Sequence, residues 1–144
     1  MNNGEVISTL NSLIGTCRKG HDSFRKAADG IHNSEFRRLF NIFSQQRVQF
    51  VSELQAEVHR LGGDAAKTAE IIPFNRSRTN GESISTRDEA SIIAECQQEE
   101  ETAVNDYQEA LKADLPLDVQ YVVKRQYMDI KDAYDRIRIL QRAA

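Results

Sequence analysis

Four long stretches of this chain repeat apolar residues every three to four positions, and each row is broken once, near its middle, by polar side chains. The clearest is Glu89–Leu111, EASIIAECQQEEETAVNDYQEAL, whose row runs Ile92/Ile93, Cys96, Ala103, Tyr107, Ala110/Leu111. The step between Cys96 and Ala103 falls on Glu100, with Glu99 beside it. A carboxylate on the inward row of a long helix needs a partner, because an isolated charge is costly to remove from water. The first row runs Val6/Ile7, Leu10, Leu13/Ile14, Cys17, Phe24, Ala27/Ala28 and breaks at His21. The second runs from Phe36 through Leu39/Phe40, Phe43, Phe50/Val51, Leu54 and Val58 to Leu61, breaking at Gln46 and Arg47. The last runs Val119, Val122/Val123, Ile130, Ala133, Ile137, Leu140 and breaks at Gln126.

End signals set the expected helices at about 3–29, 34–61, 87–113 and 116–142. Asn2 or Asn3 is a suitable N-cap for the first, with Glu5 in its first turn. Asp29-Gly30-Ile31 reads as its C-cap, with Gly30 left-handed and Ile31 folding back. Asn33 or Ser34 then caps the second helix almost at once, which makes helices 1 and 2 an antiparallel hairpin. Gly62-Gly63 ends that helix. Thr86-Arg87-Asp88-Glu89 has the pattern of a capping box, and Pro116 suits a first helical turn. Residues 62–86 have no sustained period and contain Pro73, Gly81 and RSRTNGES. A helix of about 27 residues is roughly 40 Å long, and about 24 extended residues can span that. The segment therefore reads as a long crossover that lets helix 3 run parallel to helix 2, with Ile71-Ile72-Pro73-Phe74 pinning it to the bundle. The expected fold is all-α: one four-helix-bundle domain, 1–144, of two antiparallel hairpins joined by that crossover.

Few glycines and prolines, no tryptophan and 40% hydrophobic residues fit this class. A net charge of −3 argues against a nucleic-acid partner. Nothing approaches the roughly 20-residue apolar run that crosses a bilayer, so no membrane partner is expected. MNNGEVISTL lacks a basic region followed by an apolar core, so no secretory signal is expected and a cytoplasmic setting is. Cys17 and Cys96, far apart on inward rows, are expected as reduced, buried thiols. Helix 3 holds nine acidic residues from Asp88 to Asp114 against the single Lys112, which favours packing against its more basic neighbours.

Four rows broken at a similar height predict a buried polar layer of His21, Gln46, Arg47, Glu100 and Gln126. In it Glu100 pairs with Arg47, and also with His21, while Gln126 completes hydrogen bonds. The competing reading is a metal site. Di-iron centres in four-helix bundles take carboxylates from all four helices, with two Glu-x-x-His pairs that place Glu and His one turn apart. No Glu-x-x-His occurs; Glu57 and His59 are two apart and face differently. What is left is a degenerate iron or manganese site drawing on His21, Glu53, Glu99 and Glu100. Cys17 and His21, four apart, form a nominal Cys/His nucleophile couple, here expected to be packing. With no phosphate loop and no Ser-His-Asp order, no catalytic residue is assigned, no cofactor is required and no enzyme activity is expected.

LNSLIGTC, QRVQFVSELQAEVHRLGG, IIAECQQEEETAVNDYQEAL, DLPLDV and KDAYDRIRIL together resemble a bacterial family of ferritin-like four-helix bundles known only as a domain of unknown function. The resemblance covers nearly the whole chain. It implies a ferritin-like topology, a homodimer, a cytoplasmic setting and a loose link to stress responses, and it implies no activity. It also implies Glu and His at two positions that here are Gln97 and Tyr134, a departure from a metal-ligand set. The expected function is a non-enzymatic structural or interaction module; the alternative is a metal-binding protein with a degenerate mid-bundle site.

Overall fold

The computed structural model describes residues 2–64 and 88–143. Within them lie four helices, α1 (Asn3–Gly30), α2 (Ser34–Arg60), α3 (Glu89–Lys112) and α4 (Leu117–Ala143), and no strand. Local chemistry fixes their ends. The Asn2 side chain accepts from the Glu5 N–H at 2.8 Å while the Glu5 carboxylate accepts from the Asn2 N–H at 3.0 Å, a reciprocal capping box. Asn33 caps α2 by accepting from the N–H groups of Glu35 and Phe36. At the far end of α2, Gly62 takes the left-handed conformation (φ 86). Its N–H reaches the His59 carbonyl and that of Gly63 reaches Val58, both at 3.0 Å, which is the Schellman pattern.

Three expected ends differ. Gly30 is not left-handed: α1 stays helical through it, and the chain leaves by an extended Ile31 (φ −106, ψ 135) whose side chain is buried. The turn is held from outside instead, with Arg37 donating twice to the Ile31 carbonyl and Glu89 of α3 accepting from the N–H groups of His32 and Asn33. The N-cap of α3 is Asp88, which accepts from the Ser91 N–H at 2.8 Å, so the helix starts at Glu89 rather than 87. Pro116 stands just before α4, its carbonyl accepting the Gln120 N–H at 2.8 Å. The expected crossover, its Ile71-Ile72-Pro73-Phe74 patch and Thr86 lie, but for residues 62–64, outside the described residues.

The packed pairs are α1 with α2, α3 with α4, α1 with α3, and α2 with α4, so α2 and α3 face each other across a diagonal. Thr16–Asp106 and Cys17–Tyr107 contacts, together with Phe24 packing near Cys96, make α1 and α3 antiparallel. α2 and α3 therefore run the same way, the up-down-down-up order of a ferritin-like bundle. The apolar interior falls into two clusters. One holds Val6, Leu10, Leu13, Leu54, Val58, Tyr107 and their neighbours; the other holds Phe24, Phe40, Phe43, Ile92, Ile93 and Ile137. Phe24 stacks on Phe40 at 5.9 Å and tilts against Phe43 at 5.3 Å, so the second cluster is an aromatic plug at the α1–α2 turn.

Candidate functional site

Between the two clusters lie the polar residues that interrupt the rows. Arg47 and Glu100 are both buried, at 0% and 1% exposure, and meet as a bidentate ion pair: Nη1 donates to Oε1 at 2.8 Å and Nη2 to Oε2. The guanidinium also lies 5.2 Å from the Phe24 ring centre and 5.9 Å from that of Phe50. Two of its nitrogens are met by the carboxylate and the two rings lie within cation–π distance, while Nε, also buried, meets no hydrogen-bond partner among the described residues. Burial works against the charged form of Arg47, but the charge and hydrogen bonds of Glu100 outweigh it and raise the guanidinium pKa further.

A second chain of hydrogen bonds runs from the interior toward the surface. The Cys17 thiol lies 3.1 Å from the Tyr107 hydroxyl, which donates to Gln126 Oε1 at 2.7 Å. Gln126 Nε2 then donates to Glu53 Oε1 at 2.8 Å and to the Phe50 carbonyl at 3.3 Å, and Arg125 binds the same Glu53 oxygen at 2.8 Å. Burial pushes the Cys17 thiol up to about 11, against a lowering by the Tyr107 bond, so it stays protonated at neutral pH. Burial likewise lifts the Tyr107 phenol well above its ordinary value. Glu53 goes the other way: partial burial would raise it, but bonds from Gln126 and Arg125 hold it lower.

The structure brings together only part of the expected layer. Arg47, Glu100 and Gln126 are buried at its centre, but His21 is only half-buried and does not reach Glu100. Its Nδ1 lies 2.7 Å from Ser44 Oγ, and the Ser44 hydroxyl approaches the His21 carbonyl at 3.2 Å, tying α1 to α2. The buried residue between Cys17 and Phe24 is Gly20. A row of period 3.6 can step through either position, and the one without a side chain turns inward because Arg47 needs the room. A Cβ on Gly20 would stand 3.0 Å from Arg47 Nη1. Gln46 is partly buried, and its Oε1 meets no hydrogen-bond partner among the described residues. Sequence reasoning missed Gly20, Ser44 and the polar use of Tyr107; the one available signal was an unexplained glycine inside a long helix.

The four metal candidates are dispersed by their partners. Glu100 is held by Arg47, Glu53 by Arg125 and Gln126, and His21 by Ser44. Glu99 lines a cleft of about 170 Å³ between α1 and α3 with Thr16, Lys19, Thr102 and Asp106. Burial raises its carboxyl pKa, Lys19 opposes this, and nearby Glu100 and Asp106 add to the rise. Among the described residues no three His, Cys, Asp or Glu side chains converge as a metal-binding group. The nominal Cys17/His21 couple is not assembled either, since the two side chains bond to different helices. No helix among the described residues is long and apolar enough to cross a membrane.

Helix order, parallel α2 and α3, and a polar layer at mid-height define a ferritin-like four-helix bundle whose central charge is neutralised by an arginine. Residues 5–113, spanning α1 to α3, match the family described as domain of unknown function (DUF2383), and the chain belongs to it. The chain is also similar in structure to a two-domain protein from Anabaena variabilis containing DJ-1/ThiJ/PfpI-like and ferritin-like domains. That likeness has a TM-score of 0.80 at 17% identity and covers 99% of this chain but 37% of the other, so it concerns the fold. No curated protein matches the chain.

Proposed function

We propose that this chain is a non-enzymatic ferritin-like bundle serving as a structural or interaction module. The observation that carries this reading is the Arg47–Glu100 pair. A ferritin-like metal centre draws its carboxylates toward an ion at mid-bundle. Here the mid-bundle carboxylate is Glu100, and the cation beside it is the chain's own guanidinium, buried against Phe24 and Phe50. Such a pair specifies register and helix pairing more than it adds stability, because desolvation offsets most of the Coulomb attraction. The pair joins helices across the diagonal, so it locks all four into one arrangement. A cytoplasmic setting and a loose tie to stress responses, carried by the family resemblance, belong to the same proposal.

One observation favours the second reading, a protein binding iron or manganese: the Glu99 carboxyl, raised by burial, lines a cleft with Asp106. Elemental analysis of untagged protein purified without chelator separates the two. The structural reading expects sub-stoichiometric metal that Glu99→Gln and Glu100→Ala leave unchanged. Stoichiometric iron or manganese lost in either variant overturns it.

A further inference from the structure

α4 carries two apolar faces, and only one is used. Its buried row, Val119, Val123, Gln126, Ile130, Ala133 and Ile137, points into the bundle. Leu117, Tyr121, Met128 and Ile139 are 83%, 69%, 62% and 63% exposed. At about 100° per residue these four fall within an arc of about 40°, almost opposite the buried row. Four of the six large exposed hydrophobics among the described residues thus form one stripe along one helix. An outward apolar stripe running the length of a helix marks a partner surface.

The two ends of the stripe are apolar and stand at equal distances from Met128, and the mirror positions between them pair Tyr121 with Asp135 and Lys124 with Asp132. Leu117 and Ile139 stand eleven positions either side of Met128, Tyr121 and Asp135 seven, Lys124 and Asp132 four. An interface between identical copies related by a two-fold axis must be self-complementary in this way, each residue meeting its mirror position. We propose that α4 is the homodimer surface, with α4 of a second copy packed antiparallel on it and the two-fold axis passing by Met128. Leu117 of each copy then covers Ile139 of the other, and the two Met128 side chains meet at the centre. The Tyr121 hydroxyl reaches the Asp135 carboxylate, and Lys124 comes within a turn of Asp132 and Asp135 across the interface. Exposed charge on the stripe is mixed in sign, so like meets unlike in this register. The proposal rests on the interaction-module reading and names its partner as a second copy of the chain.

A single helix pair over this length makes a small interface, so association is expected in the micromolar range or weaker. Sedimentation velocity from about 1 μM to a few hundred μM reads it over the range such an interface needs. The wild type is expected to shift to dimer with concentration. Met128→Asp sets two carboxylates face to face on the axis and is expected to stay monomeric, with the wild-type melting temperature at about 1 μM where both are monomeric, since Met128 lies outside the folded core. Met128→Cys is expected to form a disulfide-linked homodimer on mild oxidation, while Lys124→Cys is not. A wild type monomeric throughout, or a dimer that Met128→Asp leaves intact, overturns the proposal. So does a Met128→Asp monomer that melts below the wild type at about 1 μM, where both are monomeric, since the stripe would then belong to the fold of the single chain. Metal content of the same samples reports separately on the module reading, so failure of one is not failure of the other.

Discussion

Arg47 of α2 grips Glu100 of α3 across the bundle diagonal, and among the described residues it is the one charged pair in which both partners are buried. Removing one member leaves the other charged and dry. Glu100→Ala is therefore expected to destabilise by about 3–5 kcal/mol, while the double change Arg47→Met with Glu100→Leu costs far less. Urea titration of wild type, both single variants and the double variant gives the cycle. A double variant that loses the sum of the two single losses would show that the pair is not coupled.

Gly20 and Gly15 lie five residues apart on α1 and should respond oppositely to alanine. A Cβ at Gly15 meets nothing within 4 Å, so Gly15→Ala should gain about 0.5–1 kcal/mol from helix propensity. At Gly20 the new Cβ meets Arg47 Nη1 at 3.0 Å, and that nitrogen is fixed by Glu100. Gly20→Ala should forfeit the propensity gain and fall below Gly15→Ala in melting temperature. In an Arg47→Met background, which frees the space, the two alanine substitutions should converge.

The Arg47–Glu100 relation was legible because an apolar row leaves a charged residue nowhere to go, and one cation and one anion broke separate rows at one height. The choice between Gly20 and His21 was not, since both fit the period and the inward one is selected by the bulk of Arg47 across the core. Gly30 misled because its neighbours supply what a left-handed cap would have, Glu89 from α3 and Arg37 from α2. Tyr107 read as plain core; its hydroxyl gains meaning only from Cys17 and Gln126 on other helices. The outward stripe of α4 went unread for a related reason. A second apolar face is sparse beside the buried row, and only exposure separates the two.

Two carboxylates give opposite pH signatures. Glu53 is held below its ordinary value of 4.5 despite partial burial, so its stabilising contribution is present above that pH and lost as pH falls through its folded pKa. Glu99 is raised above 4.5, so its ionisation opposes folding: the favourable protonated form is lost as pH rises through its folded pKa. At pH 7, Glu53→Gln should lower the melting temperature and Glu99→Gln should leave it equal or higher. The Glu99 difference should shrink toward zero as pH falls below 4.5, and the Glu53 difference only as pH falls through its lowered folded pKa, as thermal melts across the acid range would show.

Tyr107→Phe tests the buried hydrogen-bond chain without changing its shape. It deletes the donor to Gln126 Oε1 and the contact to the Cys17 thiol, while the Gln126 bonds to Glu53 and Phe50 are kept. One buried acceptor left unmet should cost about 1–3 kcal/mol. In a Gln126→Leu background, where that oxygen is gone along with the bonds to Glu53 and Phe50, Tyr107→Phe should cost less than it does in the wild type. The thiol gives an independent reading: buried, with a pKa near 11, Cys17 should resist alkylation at pH 8 in the native protein. Its labelling should then follow unfolding, and rise in Tyr107→Phe by the factor that the lost stability sets, roughly tenfold for each 1.4 kcal/mol. Rapid labelling in the folded wild type would mean that the interior opens at Cys17 without global unfolding, and the chain from Cys17 to Glu53 would then be a surface feature rather than part of the core.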